Sequence, residues 1–171
     1  MQIDVLEAQN YMQIAALEAG KIHKKYFGLK DLDSRDKDGV DFTTIVDKET
    51  DEFLIDMIRR KYPSVILLTE ETAPDDYSSL MDAEYLYVSD PLDGTTNFSR
   101  GHVNFAVSQA MVYRGKTVVS VVYLPISGDM YTTNSATGIS YHNGHVMKVS
   151  STSDLKKSVV ACDWPWDLKK R

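Results

Sequence analysis

Residues 85–98 read YLYVSDPLDGTTNF, an apolar run that stops at Asp90 and is followed three residues later by a second acid, Asp93. Pro91 fixes its own φ and offers no backbone N–H, while Gly94 admits backbone angles that a β-carbon resists. Together they predict a tight, shaped turn in which the carboxylates of Asp90 and Asp93 and the carbonyl of Leu92 converge, with the hydroxyls of Thr95 and Thr96 directly behind. Hard divalent cations take oxygen donors of this kind. D-P and D-G are also ordinary turn dipeptides, so DPLD alone would be satisfied by a solvated turn.

The elements that must position these groups can be read on either side. Residues 65–69, VILLT, form a short run rich in β-formers that leads directly into Glu70 and Glu71. Residues 83–89 repeat the arrangement and lead into Asp90. If the two strands lie side by side, Glu70, Asp90 and Asp93 share one rim of a sheet. Clustered carboxylates repel one another unless a cation neutralises them, so this spacing points to a metal more than to a solvated acidic turn.

Two helices precede the strands. Val5, Ala8, Met12, Ala15, Ala19, Ile22 and Tyr26 recur at steps of three and four, which predicts an amphipathic helix over residues 3–27 that ends at Gly28 after a basic last turn. His23 lies near that stripe, where a histidine is more often structural than a ligand. A second helix is expected from Thr43 or Thr44, either of which could cap it, through Tyr62 before Pro63, with Val46, Phe53, Leu54, Met57 and Ile58 as its apolar side. Asp47 falls in its first turn, a position that favours a carboxylate on electrostatic grounds alone. The polar stretch between the helices, residues 28–41, is expected to be a mobile loop.

Beyond the acidic turn, residues 105–125 alternate as two strands about a turn at Arg114, Gly115 and Lys116, and Asn143-Gly144 is the clearest hairpin signal in the chain. Strand alternation is expected to put His142 and His145 on opposite sides of that turn. Residues 158–162, SVVAC, read as the first strand of another sheet, with an apolar edge at Val159 and Val160, and Trp164 and Trp166 read as packing residues.

Composition narrows the partners. With 25 acids against 19 Lys and Arg the formal charge is -6, which gives no footprint for nucleic acid or an anionic membrane, so an anionic substrate would need a local cation. The single cysteine, Cys162, excludes an intrachain disulfide and a Cys-based metal site. No apolar run approaches the roughly 20 residues that span a bilayer, and a cytoplasmic location is expected.

The string DPLDGTTNF resembles, position for position, the signature D-P-x-D-G-T-x-N-F of the inositol monophosphatase family of metal-dependent, lithium-sensitive phosphatases. Thr44 and Asp47 match the family's T-x-x-D-x-x-x-E-x-x-I, whereas Asp51 stands at its Glu and Leu54 at its Ile; Thr69 stands where the family's G-E-E has glycine. The skeleton of a later motif is kept by Gly128, Tyr131, Gly138, Asn143 and Gly144. The resemblance implies that Glu70, Asp90 and the Leu92 carbonyl hold one Mg2+ and that Asp90 and Asp93 hold another. It further implies that Thr95, hydrogen-bonded towards Asp47, works with Glu70 to activate water, and that Asp93, Gly94, Thr95 and Thr96 meet the phosphate. It places a further metal-associated group in the loop before the second helix.

The expected fold is therefore α+β, a sugar-phosphatase-like layered sandwich with two N-terminal helices on a largely antiparallel sheet and a second α/β sheet left incomplete. Residues 1–152 are expected to form the metal-binding domain and residues 153–171 the start of a C-terminal α/β domain. Family members continue further, to a W-D-x-A motif; the W-D at Trp166-Asp167 is followed by LKK. The expected activity is Mg2+-dependent hydrolysis of a small phosphate monoester, foremost inositol monophosphate, by a homodimer that binds neither nucleic acid nor membrane. The alternatives are a non-catalytic metal-binding or regulatory fragment of the same fold, or a phosphatase for phosphoadenosine phosphate or fructose bisphosphate.

Overall fold

A computed structural model describes residues 2–29, 35–37, 41–43, 45–74, 76–80 and 82–160. The first helix, α1 (Val5–Tyr26), begins where Asp4 caps it, its carboxylate accepting from the backbone N–H of Leu6 at 2.9 Å and of Glu7 at 3.0 Å. Ala8, Met12, Ala15, Ala19 and His23 form its buried stripe, and Lys24 and Lys25 oppose the dipole in the last turn.

A two-stranded antiparallel ladder follows, β1 (Arg35–Lys37) with β2 (Asp41–Thr43). The polar stretch expected to be a loop therefore contains paired backbone. Its composition hid this because neither strand carries an apolar alternation. The second helix, α2, spans Ile45–Lys61 and buries Val46, Leu54 and Ile58 together with the polar Asp47, Thr50 and Asp51. Thr43 does not cap it, being the last residue of β2, and Thr44 lies outside the described residues.

The strands β3 (Ile66–Thr69), β4 (Tyr85–Asp93), β5 (Ala106–Tyr113), β6 (Lys116–Leu124), β7 (Asp129–Asn134), β8 (Ser140–His142) and β9 (His145–Val146) form one sheet in sequential order. A five-residue helix, α3 (Thr95–Ser99), separates β4 from β5. Only β3 and β4 run parallel; every other neighbouring pair is antiparallel. The fold is thus α+β, with α1 and α2 on one face of a largely antiparallel sheet.

Side-chain alternation sends Tyr87, Val107, Met111, Val119, Val121 and Tyr123 into the helix-covered face, where they meet Met12, the alanines of α1, Leu54 and Ile58. Gly20 allows that close approach, since a β-carbon there would stand 2.6 Å from the Tyr123 ring. Polar groups in this layer are tied together. Tyr87 donates to Gln109 Oε1 at 2.8 Å, and Gln109 Nε2 donates to the Met12 carbonyl at 3.2 Å. The Asn134 amide in turn donates to Gln9.

The β8–β9 hairpin turns at Asn143 and Gly144, both with positive φ (48° and 79°), as a two-residue primed turn requires. His142 and His145 are direct cross-strand partners, so register puts them on one face and the expectation of opposite faces fails. His142 Nε2 meets Asp129 Oδ1 at 2.6 Å, and the His142 ring stacks on Tyr131. Among the described residues after β9 the chain forms a single 3-10 turn, Leu155–Lys157. Residues 158–160 are not a strand, and Val159 and Val160 are exposed. The remainder of the expected strand, with Cys162, Trp164 and Trp166, lies outside the described residues. No described helix is long and apolar enough to cross a membrane.

Candidate metal and phosphate site

The apolar run expected to stop at Asp90 instead continues as strand through Asp93. Its ladder with β5 is broken in between: Asp90 opposes Ser108 and Asp93 opposes Ala106, so Pro91 and Leu92 share a bulge opposite Val107. A bulge tolerates proline because the missing N–H is not needed there. Asp90 Oδ1 accepts from Leu92 N–H at 3.1 Å, which closes the turn over the proline.

The turn is pinned from below. His23 Nε2 lies 3.0 Å from the Pro91 carbonyl, and since a carbonyl can only accept, that nitrogen carries the proton. His23 Nδ1 is buried without a hydrogen-bond partner among the described residues, and burial pulls the imidazole down to about pKa 4. Leu92, Phe98, Phe105 and Val46 form a small core against it, the His23 and Phe105 ring centroids being 5.8 Å apart. Gly94 turns the chain into α3 with φ 89°, and a β-carbon there would meet the Asn104 carbonyl at 2.9 Å. Both the angle and the clearance require glycine.

Thr95 joins the turn to α2. Its hydroxyl proton is shared between Asp47 Oδ1 at 2.9 Å and the Leu92 carbonyl at 3.0 Å. The Thr95–Asp47 contact implied by the resemblance is thus made by a buried acid on the first turn of α2. Asp93 and Thr96 are exposed at the surface of the same turn, and Gly94 is half-buried.

Glu70 arrives from the neighbouring strand. The parallel register pairs Thr69 with Ser89, so the next residues, Glu70 and Asp90, occupy equivalent places at the same end of the sheet. Burial first, and then the charge and hydrogen bond of Glu70 and the charge of Asp93, push the Asp90 carboxyl up to about pKa 8, against the pull of the Leu92 N–H. A cavity of about 420 Å³ opens beside the two acids, lined also by Ala73, Tyr77 and Ser108.

Among the described residues, no three of His, Cys, Asp or Glu are grouped closely enough to hold a metal ion by themselves. Three converging acids were expected; the structure brings together a pair, with Asp93 acting on it only through charge. The pair still suits a hard cation. Its donors are all oxygen, and a half-buried carboxyl pushed towards protonation by burial and then by a like neighbour has a charged form that a cation would stabilise.

Sequence reasoning took His23 as structural without its partner, and read Thr69 and Asp51 only as departures from the family motifs. For His23 the available signal was its place four residues after Ala19 on the buried stripe of α1.

The family model for the inositol monophosphatase family matches residues 4–167, and this chain belongs to that family. Among its relatives, Nus factor SuhB of Escherichia coli K12 is 35% identical over 156 residues, which is 91% of this chain and 57% of that protein. The chain thus spans a little over half the length of the curated relatives it matches. Among solved structures, extragenic suppressor protein suhB from Bartonella henselae superposes with a TM-score of 0.77 at 28% identity, covering 85% of this chain and 55% of that one. SaIMPase-II, the inositol monophosphatase II of Staphylococcus aureus, has been solved with inositol monophosphate bound (TM-score 0.68, 26% identity, covering 87% and 51%) and with 2'AMP bound.

Proposed function

We propose that this chain carries the cation-binding and water-activating part of a hydrolase for small phosphate monoesters, with inositol monophosphate as the foremost substrate. The observation that carries the proposal is the Glu70–Asp90 carboxyl pair at the ends of two parallel strands, flanked by the Asp47–Thr95 hydrogen bond. Glu70, Asp90, the Leu92 carbonyl and Asp93 would hold Mg2+. Bound there, Mg2+ would supply Lewis acidity at the phosphate and lower the pKa of a water nucleophile.

The chain's own groups do the rest. Asp47 fixes the Thr95 hydroxyl, so that the hydroxyl and the Glu70 carboxylate can orient a water and accept its proton. Thr95 and Thr96 open α3, where first-turn backbone N–H groups lack intrahelical acceptors and suit phosphate oxygens. Asp93 and Gly94 border that position. Small phosphate esters are supported as substrates by the two ligands named for SaIMPase-II. On the family resemblance the working form would be a cytoplasmic homodimer, inhibited by lithium.

Calorimetric titration with Mg2+, with phosphate release from inositol monophosphate and 2'AMP measured alongside, tests the proposal. The native chain should bind Mg2+, and Asp90→Asn should weaken binding by more than the roughly 100-fold that loss of an outer-shell partner causes. Absence of Mg2+ binding by the native chain would overturn the reading. Mg2+ binding without lithium-sensitive phosphate release would favour a second reading, a regulatory module that keeps the site, which the name Nus factor on the SuhB relatives supports.

A further inference from the structure

A buried polar layer lies directly beneath the two acids. Alternation along the strands turns Thr69 and Ser89, the register partners immediately before Glu70 and Asp90, to the helix-covered face. They are 1% and 4% exposed, and Asp51 of α2, facing them, is 4% exposed. Thr69 Oγ1 donates to Asp51 Oδ2 at 3.1 Å and lies 2.7 Å from Thr72 Oγ1. Since the single Thr69 proton goes to the carboxyl, Thr72 is the donor in the second contact. The three side chains form one chain of hydrogen bonds, Thr72 to Thr69 to Asp51.

That chain spans the element on which Glu70 rides. Glu70–Thr72 is a single 3-10 turn with Thr69 at its N-terminal cap position, and none of its three residues is buried. The hydroxyls of Thr69 and Thr72 therefore tie the two ends of the turn together, and Asp51 ties the pair to α2. A buried carboxyl served by one hydroxyl donor is costly compared with an apolar side chain of similar size. Its other oxygen, Oδ1, has no hydrogen-bond partner among the described residues. Packing alone gives no reason for an acid here; a fixed acceptor for Thr69 does. Asp51 and Thr69 are also two positions at which the sequence departs from the family motifs, and here the departures touch. A glycine at position 69 would leave room for a longer acid at position 51 and would offer it no hydroxyl.

We propose that Asp51 and Thr69 are coupled positioning residues that hold the Glu70 turn against Asp90. The inference rests on the reading of Glu70 and Asp90 as the carboxylates that bind Mg2+. Mg2+ affinity by calorimetry and thermal unfolding in metal-free buffer, measured on the same variants, test it. Thr69→Val keeps the β-branched shape and removes the hydroxyl; it should lose some stability by leaving the buried Asp51 carboxyl without a donor, and, measured well below its unfolding temperature, bind Mg2+ roughly tenfold more weakly, as loss of outer-shell support does. Thr69→Ser should bind as the native chain does. Asp51→Glu and Thr69→Gly should each weaken binding, and the double variant should recover most of the loss.

Native affinity in Thr69→Val, a lowered unfolding temperature with unchanged affinity, or simple addition of the Asp51→Glu and Thr69→Gly effects would overturn the coupling while leaving the metal site standing. Failure of the native chain to bind Mg2+ would remove the metal site and the coupling with it.

Discussion

The two strand ends that meet at the candidate site are built by different means. The end of β4 is held on every side: His23 grips the Pro91 carbonyl, Leu92 is embedded among Phe98, Phe105 and Val46, Thr95 is bonded to Asp47, and Gly94 is the one residue type its place allows. At the end of β3 a chain of three polar side chains, Thr72 to Thr69 to Asp51, ties down a turn none of whose residues is buried. The contrast teaches that one half of the site is pre-shaped by a core of its own, whereas the other is adjustable.

Three measurements can break or sharpen that contrast. The largest effect should come from Phe98→Ala, which empties the small core under the β4 turn; a loss of about 3–5 kcal/mol in unfolding free energy is expected from denaturant titration. A loss near zero would show that the aromatic cluster does not hold the turn.

The next follows from His23. Its folded pKa of about 4 lies below the model-peptide value of 6.5, so between those values the unfolded chain binds the proton and the folded chain does not. Stability from this group is complete above pH 6.5 and is lost as pH falls towards 4, by about 3 kcal/mol in all. His23→Gln keeps an N–H donor without titrating, so the native chain's advantage over that variant should shrink by this amount across the window. An NMR titration placing the His23 ring near the ordinary imidazole value would contradict it. The smallest effect should be that of Thr72→Val at the end of β3, about 1 kcal/mol for one hydroxyl contact. A cost matching Phe98→Ala would erase the difference between the two ends.

Much of this architecture was legible from periodicity. The stripe from Ala8 to Ala19, the alternation through residues 105–125 and the Asn143-Gly144 turn report burial and backbone angle locally, and the structure follows them. The acids at the ends of two short apolar runs were legible for the same reason. What escaped depends on register or on distant partners. The bulge at Pro91 and Leu92 exists only relative to β5, and the shared face of His142 and His145 only relative to their pairing. His23 and Pro91 stand 68 positions apart, and no local pattern links them. The ladder between Arg35 and Thr43 begins within a polar, turn-rich stretch and is too short to show a period. Asp51 was read as a departure from a motif; its meaning emerges only with Thr69 beside it.

The parallel pairing of β3 with β4, alone in an otherwise antiparallel sheet, has a consequence for how the site can change. Chain direction decides which end of a strand opens onto the rim. β3 and β4 finish there side by side, β5 begins beside Asp93 and runs away from it, and β6 finishes at the same end on the far side of β5. A substitution at the finish of β5 or β7 cannot add a donor at the rim. New ligands have to come from the approach to β5, from the finish of β6, from the first turn of α2, or from polypeptide laid against the rim from outside the sheet.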